Sequence, residues 1–299
     1  MVVEGYDPEL VNWPSAQWWN SQANFYVGCR QASPACANCY AKAMVERFKM
    51  NGDAGFEPTP HPKAKMPKKG IVFVGNLTDC FGEWVSHEDV LKWFAMMHHD
   101  NPEYDPLKSR CCQQKLPNDG VSYIWLTKRV ANMMNALTYA IADHPRAYYG
   151  FTAENQEWYD KRSRELFKGK SRYEHVGLDD GTEKNFPVYR YELSYKHWVS
   201  CEPLLGPINL HLDEMVNASA AYQYGGKIEP LIKQVIVGCE SGPKRRPCKI
   251  EWIEDIVEQC RKANVPVFVK QMVLPNGEFT NDISKFPKHL QIRQLVWAK

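Results

Sequence analysis

The chain has 299 residues, 44% of them hydrophobic and 24% charged, with a formal net charge of +2. This composition describes a globular protein with a sizeable core and excludes a disordered chain; the length admits one large domain or two small ones. A charge so near neutrality identifies no partner, and no run approaches the ~18 apolar residues that a membrane-spanning helix needs.

The first stretch with chemical content is the loop Gly28-Cys-Arg-Gln-Ala-Ser-Pro-Ala-Cys-Ala-Asn-Cys-Tyr-Ala41, which holds Cys29, Cys36 and Cys39. An iron–sulfur cluster ordinarily takes four cysteine ligands. Three thiols in one loop, with no fourth beside them, suit a metal centre that keeps one position open. A structural zinc site wants four protein ligands, usually as two pairs. Here there is one C-x2-C pair, Cys36 and Cys39, so zinc would have to recruit a distant group such as Cys80 or His61. Disulfides would need an oxidising compartment. No signal-peptide pattern opens the chain, so its ten cysteines are expected to be reduced, in a cytoplasm. The cluster is the leading reading and zinc the alternative.

Beyond this loop, short β-rich runs alternate with helical patterns. Ile71–Asn76 reads as a buried strand. Ser86 with Asp89 then starts a helix with an apolar stripe at Val90, Leu91, Phe94 and Met97. Ser122–Thr127 is the next strand, followed by Val130, Met133, Met134, Leu137 and Ile141 at helical spacing. Strands are predicted at Ala147–Thr152, His197–Cys201, Gln234–Gly238 and Val265–Val269, and Ile253, Val257 and Cys260 mark a helix before the last. Near-continuous apolar strands separated by helices mean a parallel sheet with both faces covered. The number of repeats favours an α/β fold of the partial or near-complete (β/α) barrel type. A doubly wound sheet is second, since no glycine-rich phosphate fingerprint follows the first strand. The polar segments 100–120, 168–195 and 213–230 exceed ordinary barrel loops and are read as insertions within one domain, 1–299. Basic runs at Lys63, Lys65, Lys68 and Lys69 and at Lys244, Arg245 and Arg246 are usually solvated loops; phosphate binding is the minority use.

Nearly every predicted strand ends in polar residues. These are Asn76, Thr78 and Asp79; Thr127, Lys128 and Arg129; Thr152, Glu154, Asn155 and Gln156; Ser200, Cys201 and Glu202; Glu240, Ser241 and Gly242; Lys270 and Gln271. In a parallel barrel such ends emerge on one face, where active sites of the fold are built. An open iron binds the amino and carboxylate groups of a methionine-type cofactor. Carboxylates and amides then suit its ammonium and ribose hydroxyls, Lys128 or Arg129 a carboxylate or phosphate, and Gly238 or Gly242 close backbone approach. Candidate cofactor-binding residues are therefore Tyr40, Asn76, Asp79, Thr152, Glu154, Asn155, Ser200 and Gly238. Lys128, Glu202, Glu240, Cys201 and Cys239 are the candidates facing the reaction.

The strings Gly28–Ala41, Leu126-Thr-Lys-Arg129, Val199-Ser-Cys-Glu-Pro-Leu-Leu-Gly-Pro207, Val235-Ile-Val-Gly-Cys-Glu-Ser-Gly242 and Phe268-Val-Lys-Gln271 resemble, in this order, the phage and bacterial "three-Cys-motif" proteins, a divergent radical S-adenosylmethionine family. The resemblance implies a partial triosephosphate-isomerase-type barrel of the radical SAM kind and a 4Fe–4S cluster on Cys29, Cys36 and Cys39. It also implies reductive cleavage of S-adenosylmethionine to a 5′-deoxyadenosyl radical. The spacing departs from the usual C-x3-C-x2-C: it is C-x6-C-x2-C here. Ala35 replaces a glycine common in the loop, and Cys201 and Cys239 stand where small residues are more frequent, as buried fillers or as thiols facing the radical site.

The expected function is thus a radical SAM enzyme served by an external reductant of the flavodoxin or ferredoxin type. Its implied substrate is an amino-acid adduct of thymine in phage DNA, in the host cytoplasm if the chain is phage-encoded. Trp13, Trp18, Trp19, Phe25 and Tyr26 are candidates for holding a flipped base, although such aromatics are more often core. A peptide or small metabolite is the alternative substrate. A zinc-stabilised, non-catalytic nucleic-acid-binding protein is the reading from another class. The oligomeric state is not legible.

Overall fold

The computed structural model describes residues 12–98, 120–139, 144–167, 171–177, 183–189, 196–213, 216–217 and 229–298. In chain order these form β1 (Ser21–Ala23), β2 (Tyr26–Val27), α1 (Tyr40–Arg47), β3 (Thr59–Pro60), β4 (Ile71–Val74), α2 (His87–Met96), β5 (Ser122–Thr127), α3 (Val130–Tyr139), β6 (Ala147–Thr152) and α4 (Gln156–Phe167). The rest are β7 (Ser171–Gly177), β8 (Glu183–Tyr189), β9 (Lys196–Cys201), β10 (Val216–Asn217), β11 (Glu229–Pro230), β12 (Ile232–Gly238), α5 (Ile250–Lys262), β13 (Val267–Val273) and β14 (Phe279–Thr280).

Eight strands make one sheet in the order β1-β4-β5-β6-β9-β12-β13-β14. All its pairings are parallel except the last, between β13 and β14. The strands lie in sequence order, with no switch point of the kind a doubly wound sheet requires. Because parallel crossovers are right-handed, that order sends every connecting helix to the same face. Burial agrees. Val72 and Val74, Tyr123 and Trp125, Tyr149 and Phe151, Val235 and Val237, and Val267 and Val269 pack with Val90, Phe94, Val130, Met133, Tyr159, Ile253 and Val257 of the helices. The alternate residues Ile71, Phe73, Ile124, Tyr148, Trp198, Ile236 and Phe268 turn to the other face and form a second cluster with Trp18, Leu295 and Trp297.

The mostly parallel α/β sheet agrees with expectation; a closed barrel does not form, since β1 and β14 are both free edges. The chain's own ends fasten the two sides instead. Trp13 donates its N–H to Arg293 O at 2.7 Å, Arg293 returns one to Asn12 Oδ1 at 2.9 Å, and the Trp297 indole reaches Trp18 O. The predicted helix start is in place, with Ser86 Oγ accepting the Asp89 N–H at 3.1 Å. The expected insertion 100–120 lies outside the described residues except for its last position, and Ile141 of the stripe predicted after β5 lies outside them too. The other two insertions contain small antiparallel pairs, β7 with β8 and β10 with β11.

The inner face is filled by rings. Trp18 lies 4.7 Å from Phe73 and 5.3 Å from Trp198, and Trp198 lies 5.3 Å from Trp297, centroid to centroid. The Trp198 ring lies across Gly150, its register partner on β6, so closely that a Cβ there would stand 2.3 Å from the indole. Gly150→Ala is therefore expected to cost about 1–3 kcal/mol through overpacking, read as a lower urea midpoint; a wild-type midpoint would show that the ring stack yields freely.

Candidate functional site

The parallel order brings the C-terminal ends of β1, β4, β5, β6, β9, β12 and β13 to one edge of the sheet. Two adjoining hollows open there. One, of about 140 Å³, is lined among others by Trp18, Trp19, Asn38, Cys39, Tyr40, Phe73, Lys128, Thr152, Ser200, Glu202, Glu240 and Lys270. The second, of about 130 Å³, is bordered by Cys29, Cys36, Cys39, Tyr40, Asn76, Asp79, Thr127, Lys128, Arg129 and Thr152. Cys39, Tyr40, Phe73, Leu126, Lys128 and Thr152 belong to both. All eight described cysteines are free thiols.

Several contacts hold the cysteine loop. At its start Gly28 takes φ +95°, and a Cβ there would stand 2.4 Å from Glu57 O, so only glycine fits the turn into Cys29. The Gly28 N–H donates to Leu77 O, and Thr78 Oγ1 donates to Gly28 O at 2.8 Å. At its end the Tyr40 hydroxyl donates to Asn76 O at 2.7 Å, while the Asn76 side chain is fixed by Gln22 and Asn24. Its middle is tied across the sheet to β12: Glu240 Oε2 accepts from Asn38 Nδ2 at 2.9 Å, from the Arg246 N–H at 2.8 Å and from Arg246 Nε at 3.0 Å. Arg246 also pairs with Glu240 Oε1 and donates to Pro34 O.

Asp79 is a second knot. Its Oδ1 accepts from Thr127 Oγ1 at 2.7 Å and its Oδ2 from the Lys128 N–H and from Arg129 Nη1 at 3.0 and 3.1 Å. Arg129 continues to Glu83 and to Arg30 O, with its guanidinium 4.7 Å from the Trp84 ring. Burial pushes the Cys29 thiol up to about 12; the Asp79 charge adds to this and the Arg129 charge opposes it. Without a bound cation Cys29 is therefore neutral at pH 7, and a metal would displace its proton.

The strand-end residues divide into two groups. Lys128, Glu202, Thr152, Ser200, Tyr40, Asn76 and Asp79 border the hollows. Glu202 is neutralised by Lys270 at 2.5 Å, whereas the Lys128 ammonium has no carboxylate partner among the described residues. Other candidates turn inward. Glu154 is fully buried in an ion pair with Arg162, which also holds Thr152 O. Asn155 caps α4, its Oδ1 accepting the Trp158 N–H at 3.1 Å. Cys201 sits in the core beneath the helices, and Cys239 is also wholly buried; burial raises both thiols, Cys239 to about 12. Both act as fillers. The compactness of Gly238 accommodates Gln271 of the neighbouring strand, not a ligand. Phe25 stacks on Trp93 in the core at 4.8 Å, which leaves Trp18 and Trp19 as the hollow's indole wall. Among the described residues no three His, Cys, Asp or Glu side chains are gathered closely enough to hold a single metal ion.

Sequence reasoning overlooked Asn38 and the full reach of Arg129, and it read Arg246 only as part of a solvated basic run, where it instead pairs with Glu240. Asn38 lies inside the C-x2-C segment, and that position was the available signal.

The chain belongs to the family described as "Protein of unknown function (DUF5131)", whose model matches residues 14–180 and 179–295. No curated protein and no solved structure matches it.

Burial works to raise the Glu240 carboxyl, but the bonds from Arg246 and Asn38 outweigh it and hold it below its ordinary value. The stabilisation it supplies is thus present above the unfolded value of about 4.3 and is lost as pH falls through the lower folded value. Glu240→Ala removes bonds worth about 1.5–3 kcal/mol each. Hydrogen exchange over residues 29–42 should therefore quicken at least tenfold at pH 7, and the wild type should loosen likewise below about pH 4. Unchanged exchange in the variant would mean that the loop is held elsewhere.

Proposed function

We propose that this protein is an iron–sulfur enzyme of the radical S-adenosylmethionine kind, with the inner face of its sheet serving as a partial (β/α) barrel. One observation carries the reading: three thiols of one loop border a hollow at the polar ends of seven parallel strands laid in sequence order. Active sites of parallel barrels are built at that edge.

The donor set suits a cluster. Cys29, Cys36 and Cys39 are soft donors on one loop, and Lys128 brings an ammonium to the same hollow. The Ala32 N–H already points at Cys36 Sγ, 3.5 Å away. The three thiols border one hollow but, among the described residues, are not gathered closely enough to hold a single metal ion. A lone zinc would need each sulfur about 2.3 Å from one centre, whereas a 4Fe–4S cluster gives each thiolate its own iron. When bound, such a cluster supplies an electron and an open iron for the methionine end of the cofactor.

The chain's own residues do the rest. Tyr40, fixed to Asn76 O, lines both hollows beside Cys39. Lys128 offers an unpaired ammonium to a carboxylate, and Glu202 with Lys270 offers a neutral pair of hydrogen-bonding groups. The indoles of Trp18 and Trp19 and the ring of Phe73 shield that space from water on one side. A flat aromatic wall facing one free ammonium fits a planar ring that carries an acid. The resemblance to the three-Cys-motif proteins implies an amino-acid adduct of thymine in DNA, and we take that as the substrate; a peptide or small metabolite is the alternative.

Anaerobically purified protein is expected to be brown, with roughly four irons per chain. With reductant and S-adenosylmethionine it should release 5′-deoxyadenosine. Cys29→Ala, Cys36→Ala and Cys39→Ala should each lose the iron; Cys111→Ala and Cys112→Ala should not. A colourless protein carrying one zinc would refute the reading. Nucleoside mass spectrometry after incubation with DNA bearing the adduct tests the substrate. Lys128→Ala should keep its iron and lose at least tenfold in turnover; full turnover would remove Lys128 from the site.

A further inference from the structure

Five large apolar side chains stand exposed among the described residues, and four of them fall between Tyr40 and Met50: Tyr40, Met44, Phe48 and Met50. Tyr40, Met44 and Phe48 are spaced four apart, so they make one stripe along α1 and its C-terminal cap. The opposite face of α1 is already spent, since Ala41 and Val45 pack with Val27 and Leu77. The outward stripe therefore contributes nothing to the core. Exposed apolar surface of this kind, gathered in one place, marks an interaction site.

The stripe is joined to the proposed cluster loop. It begins at the residue after Cys39, at the ring that walls both hollows, and runs about 12 Å outward at 1.5 Å per residue. Its local charge is positive: residues 40–49 carry Lys42, Arg47 and Lys49 against Glu46 alone, and Glu46 pairs with Lys42. The Arg47 guanidinium lies 5.4 Å from the Phe48 ring centroid. Neither Arg47 nor Lys49 has a carboxylate partner among the described residues.

We propose that this face docks an acidic one-electron carrier protein of the flavodoxin or ferredoxin class. The inference rests on the iron–sulfur reading above, which creates the need for an external electron. One electron leaves the reduced carrier, which is oxidised by one, and enters the centre at the thiol loop, which is reduced by one; no bond or proton changes hands. A small apolar contact with a basic rim complements an acidic partner, steers its approach and suits the limited, transient interfaces of electron transfer. A second copy of the chain would set the same cations against one another, and four side chains fall short of the ~1,000 Å² expected of a stable interface. Single-stranded nucleic acid would want a row of stacking rings, where this stripe alternates rings with methionines.

The test is calorimetric titration of the anaerobic holoprotein with reduced flavodoxin, alongside the rate at which that carrier reduces the protein. Phe48→Asp, and Arg47→Glu with Lys49→Glu, change only exposed residues outside both hollows. Each is expected to weaken binding and slow carrier-driven reduction by at least about tenfold, and wild-type binding should weaken between low and moderate salt. Iron content and reduction by dithionite should stay at wild-type values. Undetectable binding by the wild type, or wild-type affinity in both variants, overturns the proposal. So does a wild-type dimer that Phe48→Asp dissolves, or single-stranded DNA binding lost in the variants while the carrier still binds. A wild-type protein without iron would refute the enzyme reading and this one together; iron retained with no carrier effect refutes the docking surface alone.

Discussion

One carboxylate ties the middle of the thiol loop to the far side of the sheet. Glu240 stands at the end of β12 and gathers Asn38 and Arg246, with Arg246 extending to Pro34. Its partner Asn38 lies 202 positions earlier in the chain and between Cys36 and Cys39. A buried carboxylate calls for pairing; Arg246 supplies most of it and Asn38 of the loop completes it. With its ends fixed at Gly28 and Tyr40, the loop is thereby held against the strand ends along its length.

This arrangement depends on the order of the sheet. Strands laid down in sequence order, with right-handed crossovers, must place all helices outside and all C-terminal ends together. Apolar alternation then decides what each inner-face residue does. Low on the strands, Ile124, Tyr148, Trp198, Ile236 and Phe268 pack with Trp297. Higher up, Leu126, Thr152, Ser200 and Lys270 line the larger hollow. The same face passes from core to site within two residues on β5, β9 and β13 and within four on β6, and the period of two along each strand accomplishes this without any separate element.

The long strands were legible because their valines, isoleucines and aromatics form unbroken apolar runs, and β5 and β6 fall where those runs predict them. β1 was not, since its three residues, Ser21–Ala23, have no pattern of their own and exist by pairing with β4. Closure of the sheet was not legible either. It would depend on register at the two edges, and there Asn12, Trp13 and Arg293 make the connection through bonds that no periodicity announces. Within the site, the cysteines and the polar strand ends could be identified by residue type. Their division of labour could not. Glu154 and Glu240 look alike as acids after a strand, yet one is buried against Arg162 and the other anchors the cysteine loop.

That division leaves the larger hollow with little uncompensated charge. Glu202 is answered by Lys270 and Glu240 by Arg246, so Lys128 is the remaining cation on its wall. Asp79 sharpens the point, because it binds the Lys128 backbone N–H, and among the described residues no carboxylate pairs with the ammonium. The residue is thus fixed by its main chain and available by its side chain, which is what a binding group at a strand end requires. Lys128 lines both hollows, the one bordered by the three thiols and the one walled by Trp18 and Trp19, and Tyr40 lines both as well. A ligand drawn by that ammonium would therefore lie within reach of the cysteine loop and of a flat apolar surface.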